Sequence, residues 1–144
     1  MKRQLLENIV PVSAFTPANN DGTAITGDTI DREGYQSAIV VLHFAASTGS
    51  PTAPTALFRV EDAAESGFNV TNATWETLET VLDIKTAAIK YYYLDLAQAN
   101  RYIRVYYDAT YSDGSSPKNI VSCEIVLGDK SILPAGSTTI YDGV

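Results

Sequence analysis

The sequence has 144 residues, 45% of them hydrophobic and 19% charged, which excludes a disordered tail and fits one domain that needs no disulfide staples. Seventeen acidic residues stand against ten basic ones, a formal charge of −7. Such a surface repels phosphate backbones and anionic lipid, so neither nucleic acid nor a membrane is an expected partner.

The single cysteine, Cys123, excludes a disulfide framework. The basic start, Met1-Lys2-Arg3, is not followed by the apolar segment of a signal peptide. The longest apolar run, Ala38 to Ala46, is far shorter than the roughly 20 residues a helix needs to span a bilayer. A soluble protein is expected.

In chain order, residues 1–12 form an N-terminal arm in which Pro11 confines Ile9 to Val12 to a sheet edge. Residues 13–128 form the body. Asn19-Asn20-Asp21-Gly22 signals a turn, Thr23 to Ile30 a short strand, and Asp31-Arg32-Glu33-Gly34 a second turn. Tyr35 to Ala45 is a strand apolar on both faces, with Ile39 and Val41 pointing one way and Val40, Leu42 and Phe44 the other. Such a run belongs inside a sheet. A breaker-rich loop, Ser47 to Pro54, follows.

Thr55 to Glu61 alternates, with Ala56, Phe58 and Val60 inward and Arg59 and Glu61 outward. Thr74 to Lys85 carries Trp75, Leu78 and Leu82 at helical spacing, but is read as strand followed by loop. Ala88 to Leu96 is a strand holding Tyr91, Tyr92 and Tyr93. Arg101 to Tyr111 alternates most regularly: Ile103, Val105, Tyr107, Ala109 and Tyr111 on one face, Tyr102, Arg104, Tyr106, Asp108 and Thr110 on the other. Asn119 to Leu127 is the last strand, with Val121, Cys123, Ile125 and Leu127 inward. Residues 129–144 form a C-terminal arm. About seven strands without reliable helices predict an all-β domain, an antiparallel sandwich or a barrel, with extended arms at both ends.

The chemistry-bearing residues give no catalytic constellation. His43 is the one histidine and lies between Leu42 and Phe44, where a packed or interface role is expected. One His and one Cys fall short of the about four ligands of a zinc site. Cys123 alternates with apolar inward residues and reads as a buried small hydrophobe. Asp28, Asp31, Glu33, Glu61 and Asp62 read as solvated loop carboxylates, and no spacing sets two of them across a cleft. Asn19 to Gly22 lacks the spaced ligands of a calcium loop. Two matches to the glycosylation pattern, at Asn69 and Asn72, have no secretory context. No catalytic residue, metal ligand or cofactor is expected, and the chain is not expected to be an enzyme.

Tyr102, Arg104 and Tyr106 share a face, a pattern that suits cross-strand packing, a protein interface or a sugar platform. The arms mix apolar residues with Pro and Gly: Ile9, Val10 and Pro11 at one end, Ile132, Leu133, Pro134, Ile140 and Tyr141 at the other. Free ends are usually polar, so these are candidate docking residues.

The order of segments carries a family resemblance. A Lys-Arg-Gln start leads through an arm to Asp31-Arg32-Glu33-Gly34-Tyr35-Gln36-Ser37-Ala38-Ile39-Val40-Val41, and later to Leu94-Asp95-Leu96-Ala97-Gln98-Ala99-Asn100-Arg101-Tyr102-Ile103-Arg104-Val105. This resembles the small β-sandwich proteins encoded beside the major capsid protein in tailed bacteriophages and prophages, several of which look like head decoration, or cement, proteins. The likeness spans most of residues 1–128 and rests on strand and turn patterns. It implies a virion protein in many copies, assembled in the host cytoplasm and bound to the capsid exterior. Its partners would be the major capsid protein and itself, as a dimer or trimer. The other expectations are a head–tail joining or tail-tube protein and, from another class, a carbohydrate-binding module using Tyr102 and Tyr106, with Trp75 as a further candidate.

Overall fold

The computed structural model describes residues 9–67 and 73–130. They form nine strands: β1 (Val10–Asn20), β2 (Ile25–Thr26), β3 (Ile30–Asp31), β4 (Tyr35–Phe44), β5 (Thr55–Ala63), β6 (Ala73–Asp83), β7 (Ala88–Asp95), β8 (Tyr102–Thr110) and β9 (Asn119–Lys130). Two sheets result, a four-stranded one in the order β1-β9-β4-β7 and a five-stranded one in the order β2-β8-β5-β6, with β3 also on β8. Every pairing is antiparallel. The fold is a β-sandwich and not a barrel, because the sheets do not join edge to edge. Seven of the strands are eight residues or longer; β4 to β9 coincide with expected strands, while β1 runs from the expected edge segment into the expected turn at Asn19.

The alternation explains the core. Val40, Leu42 and Phe44 of β4 and Val121, Cys123, Ile125 and Leu127 of β9 are buried. They share one cluster with Ala56, Phe58 and Val60 of β5 and Ile103, Val105, Tyr107 and Ala109 of β8. The Phe58 ring centroid lies 6.4 Å from that of its sheet neighbour Tyr107 and 5.5 Å from that of Tyr92, which ties it to the other sheet. Each fully buried Val, Leu, Ile or Phe contributes about 1.5–3 kcal/mol. In β6 the helical spacing yields to pairing with β5, in which Ala56 faces Leu82 and Arg59 faces Thr77. Leu82 is thereby buried while Val81 points to solvent.

One stretch departs from its sequence pattern. Thr23 to Ile30 is not one short strand; it is broken into β2 and β3, both on β8, where the backbone between them makes a crossing contact to β1 of the other sheet. The Gly27 amide donates to the Val105 carbonyl at 2.8 Å, and the Asp28 amide to the Ala14 carbonyl at 2.7 Å. A side chain at residue 27 would place its Cβ 2.7 Å from the Ala14 oxygen and 2.8 Å from Val105 Cγ2. Only glycine fits. A register shift between Ser13 and Phe15 interrupts the β1 ladder beside this crossing. Pro11 lies in β1, an edge strand, where a missing amide costs least.

A polar clasp closes the sandwich beyond the apolar layer. Asn119 Nδ2 on β9 donates to the Tyr107 hydroxyl on β8 at 2.9 Å. The Tyr111 hydroxyl lies 3.0 Å from the Asn20 carbonyl and 3.1 Å from Asn119 Oδ1. Asn20 and Asn119 are both about 1% exposed, so these bonds satisfy groups that water cannot reach.

The two sequence segments that carry the family resemblance meet in space. Arg32 donates from Nε to the Asn100 carbonyl at 2.9 Å, and also to the carbonyls of Tyr35 and Ala99. Arg101 reaches back to Asp31 and Glu33, at 2.7 Å each. Asp62, at the end of β5, accepts the Asn100 amide at 2.7 Å. The β7–β8 connection is thus bound to the turn before β4.

Candidate functional site

The outer faces of the two sheets are built differently. On the five-stranded sheet, Tyr102, Arg104 and Tyr106 share the outward side of β8, as their alternation predicts, and Glu61 of β5 stands opposite Arg104. Both Nε and a terminal nitrogen of Arg104 lie 2.8 Å from Glu61 Oε2. Arg59 meets Oε1 at 2.7 Å and its guanidinium carbon sits 4.1 Å from the Tyr106 ring centre. The Tyr106 hydroxyl donates to Asp108 at 3.3 Å. Burial, followed by the Asp108 charge, raises the Tyr106 pKa.

Two carboxylates expected to be solvated are not. Glu61 points outward but is 0% exposed, enclosed by the two arginines, and Asp62 is 7% exposed on the Asn100 amide. The segment after β5 reaches the β2–β3 connection, where Thr29 Oγ1 donates to the Ser66 carbonyl at 3.4 Å. Ion pairs therefore cover the β5–β8 part of this face, and Val81 of β6 stays exposed beside it.

The four-stranded sheet has no such cover among the described residues. Its outward side carries the row Pro11, Val126, Ile39, Tyr93 across β1, β9, β4 and β7, and beside it the row Ser13, Glu124, Val41, Tyr91. Ser122, His43 and Ile89 continue it. Tyr93 is 79% exposed and Tyr91 59%, with Ile89 and Ile120 about half exposed. Pro17, His43, Ala45, Ile89, Ile120 and Ser122 line a shallow groove of about 490 Å³ at one end. His43 is exposed there, not packed in the core, because Leu42 and Phe44 take the inward positions on either side of it.

Burial pushes the Cys123 thiol far above its ordinary value, which leaves it protonated and a poor nucleophile. Burial, aided by the Glu79 carboxylate, does the same to the Tyr92 hydroxyl. Among the described residues, no three of His, Cys, Asp or Glu are grouped to hold a metal ion.

Of the candidate docking residues, Ile9, Val10 and Pro11 are exposed at the start of β1, away from Tyr102, Arg104 and Tyr106. Ile132, Leu133, Pro134, Ile140 and Tyr141 lie outside the described residues, as do Asn69 and Asn72. Tyr91, Tyr93, Ile39, Val41 and Val126 were not singled out by their sequence pattern. The signal was present: Ile89, Tyr91 and Tyr93 alternate on β7 beside a β4 that is apolar on both faces.

No family model and no curated protein matches the chain. Solved structures do. Chains in the structures of infectious bursal disease virus strains Gt and Gx match 86% and 85% of this chain at TM-scores of 0.55 and 0.54, each with 11% identity. The infectious bursal disease virus VP2 subviral particle matches 85% at a TM-score of 0.53. This chain spans about a third of the length of those virus chains, 32% in each case. At that identity the likeness establishes a shared fold.

Proposed function

We propose that the chain is a structural protein of a virus particle, a decoration or cement protein that binds the outer surface of a capsid and stabilises its subunit lattice. The observation that carries this is the contrast between the two outer faces. One has its centre covered by the Glu61 ion pairs and a single large exposed apolar side chain, Val81, among the described residues; the other presents Tyr91, Tyr93, Ile89 and Ile120 to solvent. Exposed apolar area of this kind marks an interaction surface. The fold shared with infectious bursal disease virus chains supports a virion setting. The resemblance of most of residues 1–128 to phage head proteins points to the same setting.

The role needs no catalysis. A ligand that binds only the assembled shell stabilises it by mass action, and symmetry repeats a modest contact many times. The acidic charge of −7 keeps such a protein from competing for the packaged genome. Residues 1–12 and 129–144, with their apolar side chains, would grip the lattice. The test is to heat capsids with and without the chain: those lacking it release their genome at lower temperature, and equal release temperatures refute the proposal.

A further inference from the structure

We propose that the outer face of the four-stranded sheet is covered by a second copy of this chain, so that the unit presented to the capsid is a two-fold dimer. This rests on the assembly role above and names the partner of that face.

Charge selects the occupant. At −7, two copies repel one another over most approaches. On this face the rows from Pro11 to Tyr93 and from Ser13 to Tyr91 hold one described carboxylate, Glu124, with Asp95 at the rim. Here two acidic chains meet without bringing their carboxylates together in number. The five-stranded sheet offers no equivalent row, since charged residues of the Glu61 ion pairs occupy its centre and Val81 is its one large apolar side chain among the exposed described residues.

Shape agrees. The bulk lies on one edge, where Tyr91 and Tyr93 stand on β7, and the small residues Pro11 and Ser13 lie on the opposite edge, on β1. A two-fold axis parallel to the strands, between β9 and β4, lays the tyrosine ridge of each copy over the β1 edge of the other. Tyr93 then meets Pro11, and Ile39 meets Val126. Contacts of this reciprocal form define an isologous interface. The exposed parts of Tyr91, Tyr93, Ile89 and Ile120 amount to on the order of 500 Å² per copy, at the upper end of the roughly 300–600 Å² patch a monomer carries. With the half-buried Ile39, Val41 and Val126 it approaches the about 800 Å² per partner of a standard interface.

The experiment is sedimentation equilibrium of the full chain at micromolar concentration. The expected mass is twice the 15.5 kDa of the chain. Tyr93→Glu, whose site is too exposed to disturb the core, weakens association at least about tenfold, as loss of an interfacial anchor does. Glu124→Gln tightens it by removing the one central carboxylate, and Val81→Glu, on β6 of the other sheet, changes nothing. A monomeric wild type, a trimer, or a Tyr93→Glu chain that still dimerises overturns the proposal. So does a wild type that is monomeric yet loses capsid binding on Tyr93→Glu, which would give the face to the capsid protein. A dimer that ignores capsids leaves the interface standing and removes the decoration role instead.

Discussion

The Glu61 carboxylate and the Arg104 guanidinium meet at 2.8 Å on a side of the sandwich that points away from the core. Arg59 holds the other oxygen at 2.7 Å, and the three charges share one enclosed site. Removing the carboxylate leaves two arginines without their counter-charge. Breaking a buried pair costs about 3–5 kcal/mol, and the partial exposure of both arginines brings the expected loss for Glu61→Ala to about 2–3 kcal/mol. Urea unfolding measures it; a loss under about 0.5 kcal/mol, the scale of an ordinary surface change, would mean that the site is solvated.

The clasp between sheets predicts a second effect. Asn119→Ala removes the donor to the Tyr107 hydroxyl and an acceptor beside Tyr111, at about 1–3 kcal/mol for buried groups left unpaired. Burial pushes the Tyr107 pKa up to about 12, so this phenol ionises late in an alkaline spectrophotometric titration. A full complement of tyrosines ionising together near pH 10 would contradict the burial.

Cys123 should resist a thiol reagent in the native protein. Its sulfur is 0% exposed and its thiol is held protonated by burial. Reaction is therefore expected to follow global unfolding and to speed up with urea. Immediate stoichiometric labelling at neutral pH would show the strand pairing around β9 to be wrong.

Asp31 gives the acid limb of the stability curve a defined origin. Its hydrogen bonds from Arg101 hold its carboxyl below the ordinary range. With the folded value below the unfolded one, near about 3.9, the contribution is present above the unfolded value and is lost as pH falls through the folded value. Arg101→Ala should flatten the stability curve in that acid window and leave its shape near neutral pH unchanged. An unaltered acid limb would show that the pair is screened out by solvent.

Much of the sandwich was legible because strand alternation is a local property. Ile103, Val105, Tyr107 and Ala109 declare their shared face without knowledge of any partner, and so do Val121, Cys123, Ile125 and Leu127. The covering of Glu61 was not legible. Arg104 lies 43 residues away, and no pattern within β5 shows that β8 will lie beside it. Thr23 to Ile30 misled for the same reason: Gly27 and Asp28 bond to Val105 and Ala14, which belong to opposite sheets. Apolar residues on both faces of β4 placed it inside a sheet, between β9 and β7. That its second face stays open among the described residues depends on the arrangement of the whole molecule.

The central claim is settled most directly by counting copies of the chain in purified particles. A protein that coats the capsid lattice is present on the order of hundreds of times per particle, in proportion to the major capsid protein, because shell symmetry repeats its site. A count of roughly a dozen or fewer, as for a ring at one vertex, or no chain at all in intact particles, would contradict the account.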